Sequence, residues 1–267
     1  MFYGNAAVIR QSSPAPGICR LVLHVPQVAA AARPGQFVNL YTEDKALLLP
    51  RPISICDADP EAGTLTLIYA IVGKGTEWFS HLGEGMNVRL AGPLGNGYPL
   101  EEADSPAVHE IYLVGGGLGV PPMLFLARRL HEMIQNKPIR IFNGFRSKPW
   151  IDEEFHPYGE VFNASDDGAS GFMGNVIDAM EYRQVLADYD HYAVLFACGP
   201  VPMLRALQEW QTHYNLATWF SLEERMGCGF GACAGCPVTL RGEDGGVRRQ
   251  KVCQDGPVFP GEEVIFG

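Results

Sequence analysis

Positive charge is scarce in this chain of 267 residues: 20 lysines and arginines stand against 30 aspartates and glutamates, a net charge of -10. A surface of that sign disfavours polyanions, so neither nucleic acid nor an anionic membrane surface is expected as the main partner. Long apolar runs are also missing. Hydrophobic residues make up 47% of the chain, yet no stretch approaches the roughly 18 uninterrupted apolar residues of a membrane span. Met1 to Arg10 lack a charged region followed by an apolar run, so no signal peptide is expected. The expected location is the cytoplasm, with any membrane contact arriving through a partner. A disulfide framework is disfavoured as well. The seven cysteines are an odd number in a chain without an export signal, and close cysteines then point to metal or redox work. Histidines with ligand spacing are lacking: His24, His81, His109, His131, His156, His191 and His213 are scattered. They read as surface or core residues, and no acid–base catalyst is nominated among them.

What is present is a late cluster of cysteines. Cys228, Cys233 and Cys236 are spaced C-x4-C-x2-C, and Cys253 follows after sixteen further residues. This is the plant-type ferredoxin spacing, in which a distant fourth thiolate completes the ligands of a [2Fe–2S] cluster. Four thiolates also hold structural zinc, but zinc sites usually show two close pairs, and here three cysteines are bunched and one stands alone. The glycines between them let the chain wrap a cluster and aim N–H groups at its sulfurs. Residues 238–240 and Val252 suggest a hairpin beside the cluster, 241–246 its turn, and 263–266 a closing strand. Too little core is available to hold this terminal segment without its metal group.

The length suits two domains plus a small module. Residues 1–104 carry short apolar segments at 6–10, 18–24, 36–41, 53–57, 64–71 and 87–91, the pattern of an antiparallel barrel. Turn signals separate them at Ser13-Pro14, Arg33-Pro34-Gly35, Gly83-Glu84-Gly85 and Gly92-Pro93, and 77–81 suits a helical turn. Two places look chemical. In Arg51-Pro52-Ile53-Ser54 a guanidinium beside a fixed backbone suits a bidentate phosphate contact. In Gly73-Lys74-Gly75-Thr76 the glycines admit a pyrophosphate, and Thr76 can cap a helix. Taken singly, these also read as a surface arginine and a glycine-rich turn.

Residues 105–219 change to alternating strands and helices. A strand at 111–114 runs into Gly115, Gly116, Gly117, Leu118 and Gly119, then into a helix at 123–135 with prolines in its first turn. The loop is not a strict G-x-G-x-x-G, but strand–glycine loop–helix aims backbone N–H groups at a phosphate. Further strands are expected at 139–142, 160–162 and 193–197. The last ends in Cys198-Gly199-Pro200 ahead of a helix at 203–213, at the carboxyl edge where ligands bind in open α/β sheets. Cys198 also reads as a small buried hydrophobe. Arg146 and Lys148 suit either a 2′-phosphate or a solvated loop.

The order of R-P-I-S, G-K-G-T, G-G-G-L-G and C-G-P resembles the ferredoxin-reductase-like flavoproteins. Together with L-E-E-R-M, the cysteine run and V-C-Q-D-G-P-V-F, it is similar to the electron-transfer subunits of B-type, NAD-dependent dihydroorotate dehydrogenases. The resemblance implies β + α/β architecture: an antiparallel FAD-binding barrel (1–104), a Rossmann-like parallel-sheet NAD domain (105–219) and a [2Fe–2S] module (220–267). It implies FAD contacts from Arg51, Pro52, Ile53, Ser54, Ile68, Tyr69, Ala70, Gly75 and Thr76, with Ala70 where relatives carry a basic residue. It implies NAD+ contacts from Gly115, Gly116, Gly117, Gly119, Cys198, Gly199 and Pro200, and cluster ligation by Cys228, Cys233, Cys236 and Cys253. The implied partner is an FMN-containing dihydroorotate dehydrogenase catalytic subunit, in a heterotetramer of two plus two. Electrons would pass from that FMN through [2Fe–2S] and FAD to NAD+ in pyrimidine biosynthesis. The cluster loop would face the partner, with Phe230 and Ala232 as contacts.

Overall fold

The computed structural model describes residues 1–169, 171–183, 192–214, 216–242 and 245–267. His191 and part of the expected turn at 241–246 lie outside the described residues. The chain forms two compact units: Met1–Gly97 with Glu223–Val238 and Arg249–Pro257, and Tyr98–Leu222 with Thr239–Arg248 and Val258–Gly267.

The first unit is built on a closed antiparallel barrel. Its strands are β1 (Phe2–Ala15), β2 (Ile18–His24), β3 (Phe37–Tyr41), β4 (Arg51–Asp59), β5 (Thr64–Ala70) and β6 (Asn87–Leu94), ordered β1-β2-β5-β4-β3-β6. Alternation makes the core: Cys19, Leu21 and Leu23 of β2 point inward, as do Leu65 and Leu67 of β5. A short helix α1 (Pro26–Ala29) follows β2, and α2 (Lys74–Ser80) follows β5. The second starts earlier than the turn expected at 77–81. Thr76 accepts hydrogen bonds from the amides of Val72 and Gly73, which begins the helix at Lys74.

Two expected turns are absorbed into strands. Ser13-Pro14 sits within β1 at a register shift between Ser12 and Ala15, where a bulge tolerates proline. β1 is longer than its apolar pattern because one end pairs with β6 and the other with β2. Gly92-Pro93 sits within β6. A Cβ on Gly92 would come 2.5 Å from Cγ1 of Val38, so this glycine marks close packing rather than a turn.

The chain between residues 98 and 222 supplies α3 (Leu100–Asp104), β7 (Val108–Gly116), α4 (Val120–Met133), β8 (Ile139–Phe145), β9 (Glu160–Ser165) and β10 (Phe172–Met173), followed by α5 (Val176–Tyr182), β11 (Tyr192–Cys198), α6 (Val201–Gln211) and β12 (Leu216–Ser221). The terminal segment then adds β13 (Pro237–Arg241), β14 (Val247–Lys251), α7 (Val252–Asp255) and β15 (Val258–Pro260). Seven strands form one sheet in the order β10-β9-β8-β7-β11-β12-β15. All neighbours are parallel except β12 and β15. Continuous burial of Ile111 to Val114 and of Ala193 to Cys198 is what a parallel sheet covered on both faces demands.

Three terminal expectations change. Val252 starts α7 instead of completing the hairpin, whose strands are β13 and β14. Residues 263–266 do not form a strand; a 3-10 turn at Gly261–Glu263 and a single bridge from Val264 to Leu240 stand there. The closing strand is β15, because Phe259 finds a ladder partner in Phe220 at the open edge of β12. Strand β12 and helix α5 are additional elements. The second is signalled by Asn175, whose side chain accepts from the amides of Ile177 and Asp178.

Candidate electron-transfer site

All four late cysteines lie in the first unit, with the barrel. The loop from Gly227 to Gly235 has neither helix nor strand. Gly229 and Gly231 take φ of 76° and 88°, a region open to glycine at no steric cost. The turns bring Cys236 and Cys253 together: both are buried, with sulfurs 3.3 Å apart. That is well beyond the roughly 2.0 Å of a disulfide. Cys228 and Cys233 are half-buried.

Backbone donors converge on these sulfurs. The amide of Gly231 donates to Cys253 Sγ at 3.2 Å, and that of Cys233 donates to Cys228 Sγ at 3.3 Å. Burial acts to raise the Cys228 pKa, but the N–H groups of Phe230, Cys233 and Ala232 outweigh it and bring the thiol down to about 6. At Cys253 burial dominates, the neighbouring Cys236 adds to it, and the thiol is pushed up to about 12. Two buried sulfurs in contact favour ionisation once a cationic metal group lies between them. The donor set therefore fits a centre held by four thiolates.

Side chains fasten this loop. Asn39 of β3 donates to the Cys228 carbonyl at 2.9 Å. Lys251 Nζ donates to the Gly231 carbonyl at 2.7 Å. Asn96 donates to the Asp255 carbonyl at 2.8 Å, and its amide donates to Gly256 at 2.6 Å. Phe230 and Ala232 are exposed.

The Arg51 segment opens β4, and its residues Arg51 to Ser54 are half-buried. In the ladder with β3, Arg51 faces Leu40, Pro52 faces Asn39, Ile53 faces Val38 and Ser54 faces Phe37. The guanidinium lies over Gly75: a Cβ there would come 2.2 Å from Arg51 Nε. The structure thus joins two motifs that lie apart in the sequence, ending at Ser54 and opening at Gly73. Arg51 also donates to the Leu49 carbonyl. The Thr76 hydroxyl is engaged within its own loop, accepting from Val72 and Gly73 and donating to the Gly73 carbonyl at 3.0 Å. Ile68 and Tyr69 are buried and Ala70 is half-buried. Burial and the neighbouring Cys19 raise the Tyr69 pKa well above the usual phenol range. An arginine seated against a glycine-lined helix start suits a phosphate-bearing cofactor.

In the second unit the glycine loop and the Cys198 segment interlock. Gly115 and Cys198 face each other in the β7–β11 ladder. A Cβ on Gly119 would fall 2.1 Å from the Cys198 carbonyl oxygen. One on Gly116 would fall 2.5 Å from Met203 Sδ, and one on Gly199 2.5 Å from Met203 Cε. Pro200 is 3.0 Å from the same Gly116 position. Gly117 has φ of 55° and open space around it. Cys198 itself is buried. Arg146 and Lys148 are exposed beyond β8. Asn143, across the ladder from Gly115, is fully buried with neither amide atom paired. Sequence reasoning missed it, and its only signal is a polar residue directly after the apolar run Ile141-Phe142.

Residues 223–265 match the family model described as the iron-sulfur cluster binding domain of dihydroorotate dehydrogenase B. The dihydroorotate dehydrogenase B (NAD(+)) electron transfer subunit of Bacillus cereus (strain AH187) is 40% identical over 267 residues, covering 98% of both chains. The chain belongs to this family of electron transfer subunits. A solved NADH-dependent reduced ferredoxin-NADP oxidoreductase is similar at a TM-score of 0.83 and 29% identity, over 97% of this chain and 89% of that one. A ferredoxin NADP+ reductase from Neisseria gonorrhoeae with bound FAD and NADP shares the fold at a TM-score of 0.68 and 14% identity, over 82% of this chain and 99% of that one. The family's fold is the barrel and parallel sheet described above, and no helix among the described residues is long and apolar enough to cross a membrane.

Proposed function

We propose that this chain is the electron-transfer subunit of an NAD-linked dihydroorotate dehydrogenase, acting in the cytoplasm beside an FMN-bearing catalytic subunit in a two-plus-two heterotetramer. Its modules are the FAD barrel of 1–104, the NAD domain of 105–219 and the cluster segment of 220–267. The observation that carries the reading is the contact of the buried Cys236 and Cys253 sulfurs, with Cys228 and Cys233 in the same compact unit as they and the Arg51–Gly75 cradle. When bound, a [2Fe–2S] cluster supplies one-electron steps, nicotinamide accepts hydride, and FAD exchanges electrons in either number.

The protein's own residues have distinct tasks. Cys228, Cys233, Cys236 and Cys253 hold the cluster, and the amides of Gly231 and Cys233 stabilise charge on its sulfurs. Arg51 meets the FAD pyrophosphate across Gly75, with Pro52, Ile53 and Ser54 aligned along β4. Ile68, Tyr69 and Ala70 line the cofactor from β5, and Thr76 shapes the phosphate loop through its hydrogen bonds. In the second unit Gly115, Gly116, Gly117 and Gly119 present backbone to NAD+, and Cys198, Gly199 and Pro200 line the nicotinamide end. Phe230 and Ala232 are exposed beside Cys228 and suit contact with the catalytic subunit.

The test is co-expression with that subunit, followed by an absorbance spectrum, an iron count and a dihydroorotate–NAD+ assay. The expected result is FAD, two irons per chain and NADH formation. A second reading, a subunit of a ferredoxin–NADP reductase type complex, is favoured by the structural similarity at a TM-score of 0.83. It predicts the same spectrum but no dihydroorotate oxidation with any co-purified partner.

A further inference from the structure

Asn39 is a polar residue inside an otherwise apolar strand. It stands between Val38 and Leu40 in β3 and is fully buried. A buried amide is destabilising unless it is paired. Half of this one is paired: Nδ2 donates to the carbonyl of Cys228. Its Oδ1 is buried without a partner. A Cβ on Gly229 would come 2.3 Å from Nδ2 and 2.8 Å from Oδ1. The whole amide is therefore pressed against the backbone at Gly229, where only glycine permits the approach and the φ of 76°. Tyr41, two residues further along the same strand face, lies beside both the Asn39 amide and Cys228.

The backbone of Asn39 looks the other way. It pairs with Pro52 in the β3–β4 ladder, next to the pairing of Leu40 with Arg51. One residue thus sits in the ladder of the flavin segment and grips the peptide of a cluster cysteine 189 positions later in the chain. Fixing the Cys228 carbonyl also fixes the following turn, whose amides at Phe230, Ala232 and Cys233 point at the Cys228 sulfur.

We propose that Asn39 is a positioning residue for electron transfer, joining the Cys228 turn to the flavin-bearing strand and so setting both the cluster's hydrogen bonds and its place relative to the barrel. The inference rests on the reading of Cys228 as a cluster ligand. Hydrogen bonds to ligand sulfurs tune the potential of an iron–sulfur centre. Loss of the Asn39 clamp therefore changes that potential without removing a ligand.

The test compares the wild-type holoprotein with Asn39→Leu and Asn39→Asp, both with the heavy-atom count and Cγ branching of asparagine and both without the amide donor. Cluster potential is read by redox titration with electron paramagnetic resonance, cluster retention by iron release to a chelator, and FAD by absorbance. Both variants are expected to keep FAD, to shift the cluster midpoint, and to release iron about five-fold faster, the factor one net hydrogen bond represents. In Asn39→Asp, burial and the neighbouring thiolates hold the carboxyl protonated, so its midpoint shift is expected to come from the lost amide and not from an added charge. If Asn39→Leu does not fold, Gly229→Ala carries the same expectation from the loop side. Wild-type midpoint and iron release in the folded variants overturn the proposal. A wild-type protein that keeps FAD but holds no iron overturns the underlying ligand assignment, and the proposal with it.

Discussion

The cysteine loop of the first unit and the glycine loop of the second are both rich in glycine, for different reasons. In the cysteine loop, Gly229 and Gly231 turn the chain through positive φ so that amides and sulfurs converge on a centre. No ladder supports it, and its geometry depends on a handful of side-chain clamps and on the group it encloses. In the glycine loop, Gly116 and Gly119 are small because neighbouring backbone and Met203 occupy the space a Cβ would need. The loop is flanked by β7, α4 and the parallel ladder to β11. One loop is completed by its ligand, and the other is complete before the ligand arrives.

The largest effect that probes this contrast is Cys253→Ser. Iron per chain is expected to fall from two to nearly none, because a buried ligand is lost, while FAD absorbance and NAD+ binding persist. An unchanged cluster spectrum would remove Cys253 from the ligand set. Gly119→Val is the counterpart in the second unit. Its Cβ would collide with the Cys198 carbonyl, so a destabilisation of about 1–3 kcal/mol is expected from overpacking. NADH oxidation should be lost with iron and FAD intact, and the destabilisation should already be present in protein never exposed to nucleotide. Normal turnover and thermal stability would show that the loop is not pre-packed. A smaller change is expected from Arg51→Ala, where a single charge-assisted contact is removed. FAD should dissociate roughly 10–100-fold more readily, measured by fluorescence of released flavin after dialysis. Full occupancy would separate Arg51 from the phosphates.

The same contrast explains what the sequence made legible. Metal ligation demands particular residue types at tight spacing, so Cys228, Cys233, Cys236 and Cys253 stand out without a fold. Close-packed glycines also leave a mark, as does the alternation of β2 and β5. Edges and clamps leave almost none. β12 carries no distinctive pattern, and β15 rather than 263–266 closes the sheet because Phe259 meets Phe220, a choice made between segments far apart in the chain. Asn39 and Asn143 are buried polar residues flanked by apolar ones, and only the fold reveals that one grips the Cys228 turn and the other faces Gly115. Ser13-Pro14 and Gly92-Pro93 look like turns locally but are overruled, the first by the ladder to β2 and the second by ladders to β1 and β3.

The finest test asks how much of the cysteine loop's shape survives without its metal. In iron-free protein, Cys228 is expected to alkylate first, with a half-maximal rate near pH 6, because the amides of its turn outweigh burial. Cys253, held up near 12 by burial and Cys236, should resist at neutral pH. The sign of the linked stability follows from the lowered Cys228 value. Its contribution is fully present above the ordinary thiol range of about 8.5 and is lost as pH falls through about 6. Labelling resolved by mass spectrometry across pH 5 to 9 separates the two sites. Equal labelling at pH 7 would mean that the turn around Cys228 collapses with the metal and that the ligand builds the loop outright. A retained preference would mean that the barrel, through Asn39 and Lys251, presents a partly formed site to the incoming cluster.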